Sequence, residues 1–265
     1  MEWEKAKNLL MCVLIFANVF LAVNLATLLE KRTSEQSEKA SLAVENLEQR
    51  GHTADGEAVD ALPEKLAVIS MGRDSAKEQK AAEGLLGECQ KSVRGGGIEE
   101  YSSDAGKLTF RSGGNVSGEI VGARFGDDPL KDARNIFKAM GIEVDEISQT
   151  EDQVVGKYRI DGFEAENLEI TVSQTTRGLS VEGMAVFLKN AQKSEFYPDY
   201  ARALINLACR AEEEGSVLNA QDMDIIYYSE MSEGESYRFY PVLLIKSGGQ
   251  ETAVSLQNGE ILKNK

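Results

Sequence analysis

The chain has 265 residues, with 29 Lys and Arg against 44 Asp and Glu, giving a net charge of −15. So acidic a balance argues against a sequence-tolerant nucleic-acid binder, whose phosphate contacts need a basic surface, while 42% hydrophobic and 28% charged residues argue against disorder as the main state. Three scattered cysteines (Cys12, Cys89 and Cys209) and one histidine, His52, provide no thiolate or imidazole cluster for zinc and no second imidazole to orient a nucleophile. No catalytic residue, metal site or cofactor is therefore expected.

In chain order, residues 1–8 form a short segment with Trp3, Lys5 and Lys7 placed as membrane-interface residues. Leu9 to Leu29 follows, 21 residues without a charge, of which 18 are apolar. As a helix rising about 1.5 Å per residue it is about 31 Å long, enough for a hydrocarbon core of roughly 30 Å. The rival reading is a cleaved signal peptide. Its apolar region is usually about 7–15 residues, and the best cleavage site here, Asn24-Leu25-Ala26, puts Asn where a small apolar residue is wanted. A retained transmembrane helix over 9–29 is expected. Lys5 and Lys7 against Lys31 and Arg32 leave the positive-inside count tied. Residues 31–265 hold 27 basic and 41 acidic residues, net −14, and the anionic cytoplasmic leaflet would repel them. The expected topology is single-pass in the cell membrane, N-terminus cytoplasmic and main domain extracytoplasmic.

At 100° per residue Asn18, Ala22 and Ala26 fall within about 80° of one helix face, with Ala17 and Asn24 about 120° away. Small residues let backbones approach in lipid and amides pair across helices, so these five are the candidate partner-binding residues.

Residues 30–59 read as a helical or loose stalk ending in the turn from Gly51 to Gly56. His52, among Asp55, Glu57 and Asp60, matches no calcium loop and reads as solvated. A first α+β lobe is expected over 60–128: a strand at Leu66 to Ile69, a helix capped by Asp74 and running to about Cys89, a Gly95-Gly96-Gly97 turn, and a hairpin over Lys107 to Ser112 and Ser117 to Phe125. Over 129–265 two helix-plus-three-strand units are expected. One opens at Pro129, with strands at 154–160, 168–174 and 179–188. The other opens at Pro198, with strands at 224–228, 237–246 and 252–256. The fold class is α+β, helices packed on antiparallel sheets. Met223, Tyr227, Tyr228, Tyr237, Phe239 and Tyr240 read as sheet packing. Cys89 and Cys209 could pair or stay free.

The opening Met1 to Lys7, running into the apolar segment with Asn18-Val-Phe-Leu21, resembles the YycH/YycI family, its YycI branch above all. The stretch Pro241 to Ile245, followed by Leu256 to Ile261, is similar to the closing strands of that family and of PepSY-like modules. The resemblance implies PepSY-like repeated lobes and a non-catalytic, membrane-anchored regulator of a two-component system in Gram-positive cell-wall homeostasis. Its implied partners are a WalK/YycG-type sensor histidine kinase and a YycH-like companion protein. Two other readings stay open: a PepSY-type inhibitor or chaperone of an extracellular peptidase, and a carboxylate-dependent envelope hydrolase.

Overall fold

The computed structural model describes the backbone of residues 2–112, 114–187, 191–232, 236–247 and 250–264. It is a mixed α+β fold. Chain contacts divide it into two units, which cut across the lobes 60–128 and 129–265. Unit 1 comprises Met1–Glu64, Pro198–Met223 and Ile245–Lys265, and unit 2 comprises Lys65–Tyr197 and Asp224–Leu244.

Unit 1 begins with a single unbroken helix, α1 (Glu2–Gln49). At about 1.5 Å per residue its 48 residues extend about 72 Å. The stretch expected to be a stalk is thus helical up to Gln49, and its last three turns are core. Ala40, Ala43 and Leu47 are buried, at the i, i+3 and i+7 spacing of a packed face. They pack with α5 (Tyr200–Glu213), which buries Ala203, Leu204, Leu207, Ala208 and Ala211 by the same periodicity. The cap of α5 is Asp199, whose carboxylate accepts from the Arg202 N–H at 3.0 Å, one residue after the expected Pro198. Unit 1 is completed by β1 (Thr53–Ala54), the short helix α2 (Gly56–Asp60), β12 (Asn219–Ala220) parallel to β1, and the antiparallel pair β15 (Gln250–Ser255) and β16 (Ile261–Asn264).

The stretch 9–29, expected as a transmembrane helix, lies within α1; among the described residues no helix is long and apolar enough to cross a membrane.

Unit 2 contains β2 (Leu66–Gly72), α3 (Ser75–Leu86), β3 (Gln90–Arg94), β4 (Ile98–Ser103), β5 (Gly106–Phe110), β6 (Asn115–Val121), α4 (Pro129–Ala139), β7 (Glu146–Thr150), β8 (Gln153–Ile160), β9 (Phe163–Gln174), β10 (Gly178–Met184) and β11 (Gln192–Phe196). It also takes most of β13 (Asp222–Ser232) and β14 (Ser236–Ser247). The strand order is β11-β2-β14-β13-β9-β10-β6-β5-β4-β3, with β8 and then β7 branching from β9. Nearly every pairing is antiparallel. Among the described pairings of this unit, β13 on β9 is parallel, with Tyr227 opposite Ala165. β9 is long enough to pair β13 near its start, β10 near its end and β8 along its length.

Helices α3 and α4 pack together, and Gly84 makes this possible. A Cβ there would lie 2.0 Å from the Ala139 carbonyl oxygen. The expected Asp74 cap is present, though α3 stops at Leu86, where Gly87 at φ 70° ends it. Pro129 occupies the first turn of α4 and Asp128 caps it. Strands β6 to β10 supply Val116, Val154, Tyr158, Ile170, Val172 and Val181 to the core, closed by Phe137 of α4 and by Tyr227 and Phe239. The alternating aromatic residues over 223–240 are sheet packing: Tyr227, Tyr237 and Phe239 are buried, and Tyr228 and Tyr240 are half-buried. The run expected to reach Leu188 ends as β10 at Met184, and residues 188–190 lie outside the described residues.

Candidate functional site

Helix α1 presents the partner-binding residues expected from the sequence. Ala17, Asn18, Ala22 and Asn24 are all exposed, and the side chain of Ala26 lies outside the described residues. Around them Phe16, Phe20, Leu21 and Leu25 are 60–77% exposed. Trp3 and Lys7 are exposed, and the Lys5 side chain lies outside the described residues. Asn18 Nδ2 donates to the Leu14 carbonyl at 2.9 Å, so one of its two amide N–H groups is satisfied within its own helix. Thr27 does the same, its hydroxyl donating to the carbonyls of Val23 and Asn24 at 3.0 and 2.9 Å. Such internal bonds lower the cost of a polar side chain in apolar surroundings and leave the amide's second N–H and its carbonyl to a neighbour.

The other end of α1 is locked by a cluster that the sequence reading missed. Gly51 takes φ 83°, and the N–H groups of Gly51 and His52 bond the carbonyls of Glu48 and Leu47 at 3.0 and 2.9 Å. This is a Schellman ending, in which the residue after the glycine folds back onto the helix where an apolar contact is usual. His52 holds that place. It is 3% exposed, which corrects the expectation of a solvated histidine. Its Nδ1 accepts from the Leu218 N–H at 3.1 Å, which assigns the proton to Nε2, 3.1 Å from Glu212 Oε1. Arg50 adds a bidentate pair to the same carboxylate, Nε to Oε1 at 2.9 Å and Nη2 to Oε2 at 2.6 Å. The hydrogen bond from Arg50, then that from His52, holds the Glu212 carboxyl below the ordinary glutamate range. The signal in the sequence was the glycine at the helix end followed by a residue with an apolar ring body.

Cys209 lies beside this cluster, its sulfur accepting from Arg50 Nη2 at 3.5 Å. Cys89 and Cys209 are both free thiols. An open recess of about 610 Å³ borders Cys209, with Asn206, Arg210, Glu213 and Gly259 in its wall. Arg210 is occupied there by Glu213 and Glu214 at 3.5 and 2.6 Å. Among the described residues no three His, Cys, Asp or Glu side chains are grouped to hold a metal ion.

Unit 2 has its own buried polar network, at the turn from β2 into α3. Arg73 Nε lies 2.9 Å from Glu78 Oε1 and Nη2 lies 2.7 Å from Oε2, and the Arg73 side chain also donates to the Gly97 carbonyl. Both partners are nearly inaccessible, 10% and 4% exposed at their side chains. Burial pushes the Glu78 carboxyl up, against the pull of Arg73. Glu99, 3.9 Å from Arg73, accepts from Lys91 at 2.7 Å, the Tyr101 hydroxyl at 2.8 Å and Ser75 at 3.0 Å. Burial raises its pKa, but the hydrogen bonds from Lys91, Tyr101 and Ser75 outweigh it and hold the carboxyl below its usual range. The Gly95-Gly96-Gly97 turn thus anchors an ion pair through a carbonyl. The network joins α3 to β3 and β4, and its neutralised charges give it the character of a structural tie.

No protein-family model matches the chain, and no curated protein matches it. Among solved structures it is similar to an uncharacterized protein from Eubacterium rectale, with 11% identity, TM-score 0.40, and coverage of 76% of this chain and 86% of that one. It is also similar to the Bacillus megaterium YpeB C-terminal domain, with 12% identity, TM-score 0.34, and coverage of 73% and 96%.

Proposed function

We propose that the chain is a non-catalytic regulatory protein held in the cell membrane by residues 9–29, with its N-terminus cytoplasmic and its main domain extracytoplasmic. It modulates a WalK/YycG-type sensor histidine kinase together with a YycH-like companion. The observation that supports this most is the continuity of α1. One helix carries the exposed apolar side chains of 13–25 and, without a break, the buried Ala40, Ala43 and Leu47 of unit 1. A passive tether needs no such continuity, and a flexible stalk would serve it better.

In this reading a displacement of unit 1 reaches the apolar segment as a rotation or tilt of one rod. Helix contacts in lipid contribute about 0.6 kcal/mol on average, and at most about 1–2. A kinase poised between two states responds to differences of that size. The partners rest on the likeness of residues 1–29 and 241–261 to the YycH/YycI family, and the absence of catalysis on the lack of any nucleophile–base pairing motif.

The test replaces residues 9–29 with an unrelated apolar helix of equal length in cells containing the kinase. The expected result is unchanged membrane fractionation with loss of regulation and of crosslinking from position 18. Normal regulation by the swapped chain would place recognition elsewhere and defeat the proposal, as would recovery of the native chain in the soluble fraction.

A further inference from the structure

Four tyrosines sit among the buried side chains of unit 2, and three of them are hydrogen-bonded. Tyr101 donates to Glu99 at 2.8 Å, Tyr158 to the Met184 carbonyl at 2.7 Å and Tyr227 to the Ala67 carbonyl at 2.9 Å. Tyr237 is the exception. It is 9% exposed, stacks on Phe239 at 6.1 Å, and its hydroxyl has no hydrogen-bond partner among the described residues. A buried hydroxyl left without a partner carries its desolvation penalty uncompensated, which phenylalanine at the same place would avoid.

The ring borders a cavity whose wall includes Met71, Arg73, Glu78, Gly114 and Met184. The cavity offers about 20 Å³ to the centre of a water-sized sphere. One such sphere needs about 10–15 Å³, so the space fits one water and no larger molecule. Three further polar side chains, Arg73, Asp74 and Glu78, share the wall with the hydroxyl, and an internal water needs two to four polar partners. The surroundings are electrically balanced. Arg73 faces Glu78, Lys77 lies 3.7 Å from Asp74, and Lys91 lies 2.7 Å from Glu99, so nothing favours a net anion or cation.

We propose that this cavity is a binding site for a single neutral, water-sized ligand, an internal water that completes the hydrogen bonding of Tyr237 and joins β14 to the Arg73–Glu78 pair. The site is independent of membrane anchoring and of any kinase. It adds a third element to the tie between β2 and α3: the water holds the wall strand to the ion pair, so the network is closed on the side where the side chains alone leave a hydroxyl unmatched.

The experiment is a crystal structure of the full chain at a resolution that shows ordered water, paired with Tyr237→Phe. The expected result is one peak within about 2.6–3.2 Å of the Tyr237 oxygen, absent in the variant, with the Arg73–Glu78 pair unmoved. Density showing the hydroxyl bonded directly to a protein atom, or no density in the cavity of the unmodified chain, overturns the proposal. So does an anomalous peak there after a bromide soak, which would make the ligand an anion. If Tyr237→Phe fails to fold, a long-lived water cross-relaxing with the Tyr237 ring protons in the unmodified chain supports the site, and its absence overturns it. In solution Tyr237→Phe should change the unfolding constant by less than about tenfold, because hydroxyl and water leave together. A loss above about a hundredfold would reveal a direct bond and overturn the reading.

Discussion

Arg50 and Glu212, 162 residues apart in sequence, meet as a two-point ion pair across the end of α1, at 2.9 and 2.6 Å. The pair is partly solvated, so its own contribution is small. The buried partner of the same carboxylate matters more. His52→Ala would leave the Leu218 N–H without its acceptor, at a cost of about 1–3 kcal/mol. Hydrogen exchange at Leu218 in the full chain should quicken by at least about tenfold, while Arg50→Ala should leave it nearly unchanged. Equal effects from both variants would show that the exposed pair is the true lock.

Leu47 is fully buried at the C-terminal end of α1. Leu47→Ala should destabilise unit 1 by about 2–5 kcal/mol, by lost transfer energy and the cavity left behind. Leu42, 57% exposed on the same helix, should tolerate alanine within about 0.5 kcal/mol. Urea unfolding followed by exchange within unit 1 distinguishes them. A loose stalk would make the two substitutions equally harmless.

Arg73 and Glu78 form a buried pair, where removing one partner is worse than removing both. Arg73→Met leaves the Glu78 carboxylate without its principal counter-charge and should cost about 3–5 kcal/mol, and Arg73→Met with Glu78→Leu should recover most of it. The double-mutant cycle, read by denaturant midpoint, checks this. Additive losses would mean that each residue acts through separate contacts.

The two carboxylates near Arg73 respond to acid in opposite senses. Glu99 is held below its ordinary range, so its contribution is complete above the unfolded value of about 4.3 and is lost as pH falls through the lower folded value. Glu78 is raised, so acid relieves the cost of burying its charge. Glu99→Gln should therefore start less stable at neutral pH and lose less stability than the unmodified chain below about pH 4, measured as urea midpoint against pH. A steeper acid limb in Glu99→Gln would reverse the assigned direction.

Asn18 donates to Leu14 inside its own helix, so Asn18→Leu should leave helix content unchanged by circular dichroism. Crosslinking from position 22 to a partner helix should fall at the same time, because the amide's free N–H and carbonyl are its contacts to that helix. Unchanged crosslinking would remove Asn18 from the partner face.

What the sequence by itself determined was local. Asp74 and Pro129 mark helix starts because a cap acts within three residues of its own position. The strands around Val154, Val172 and Val181 are legible because alternation shows which face is buried. The apolar run Leu9 to Leu29 is equally plain, since it depends on composition alone. The fate of 30–49 was decided by tertiary structure. Ala40, Ala43 and Leu47 are weakly apolar as a face, and α5, some 160 residues later, supplies the helix that packs against them. His52 shows the same limit most sharply. Its glycine predecessor announces a helix end, but burial required an acceptor for Nε2–H and a donor for Nδ1. Glu212 and the Leu218 N–H supply them from the far end of α5 and the segment beyond it. Burial of a polar group depends on partners that local pattern cannot locate, because their positions follow from chain packing and not from spacing along the sequence.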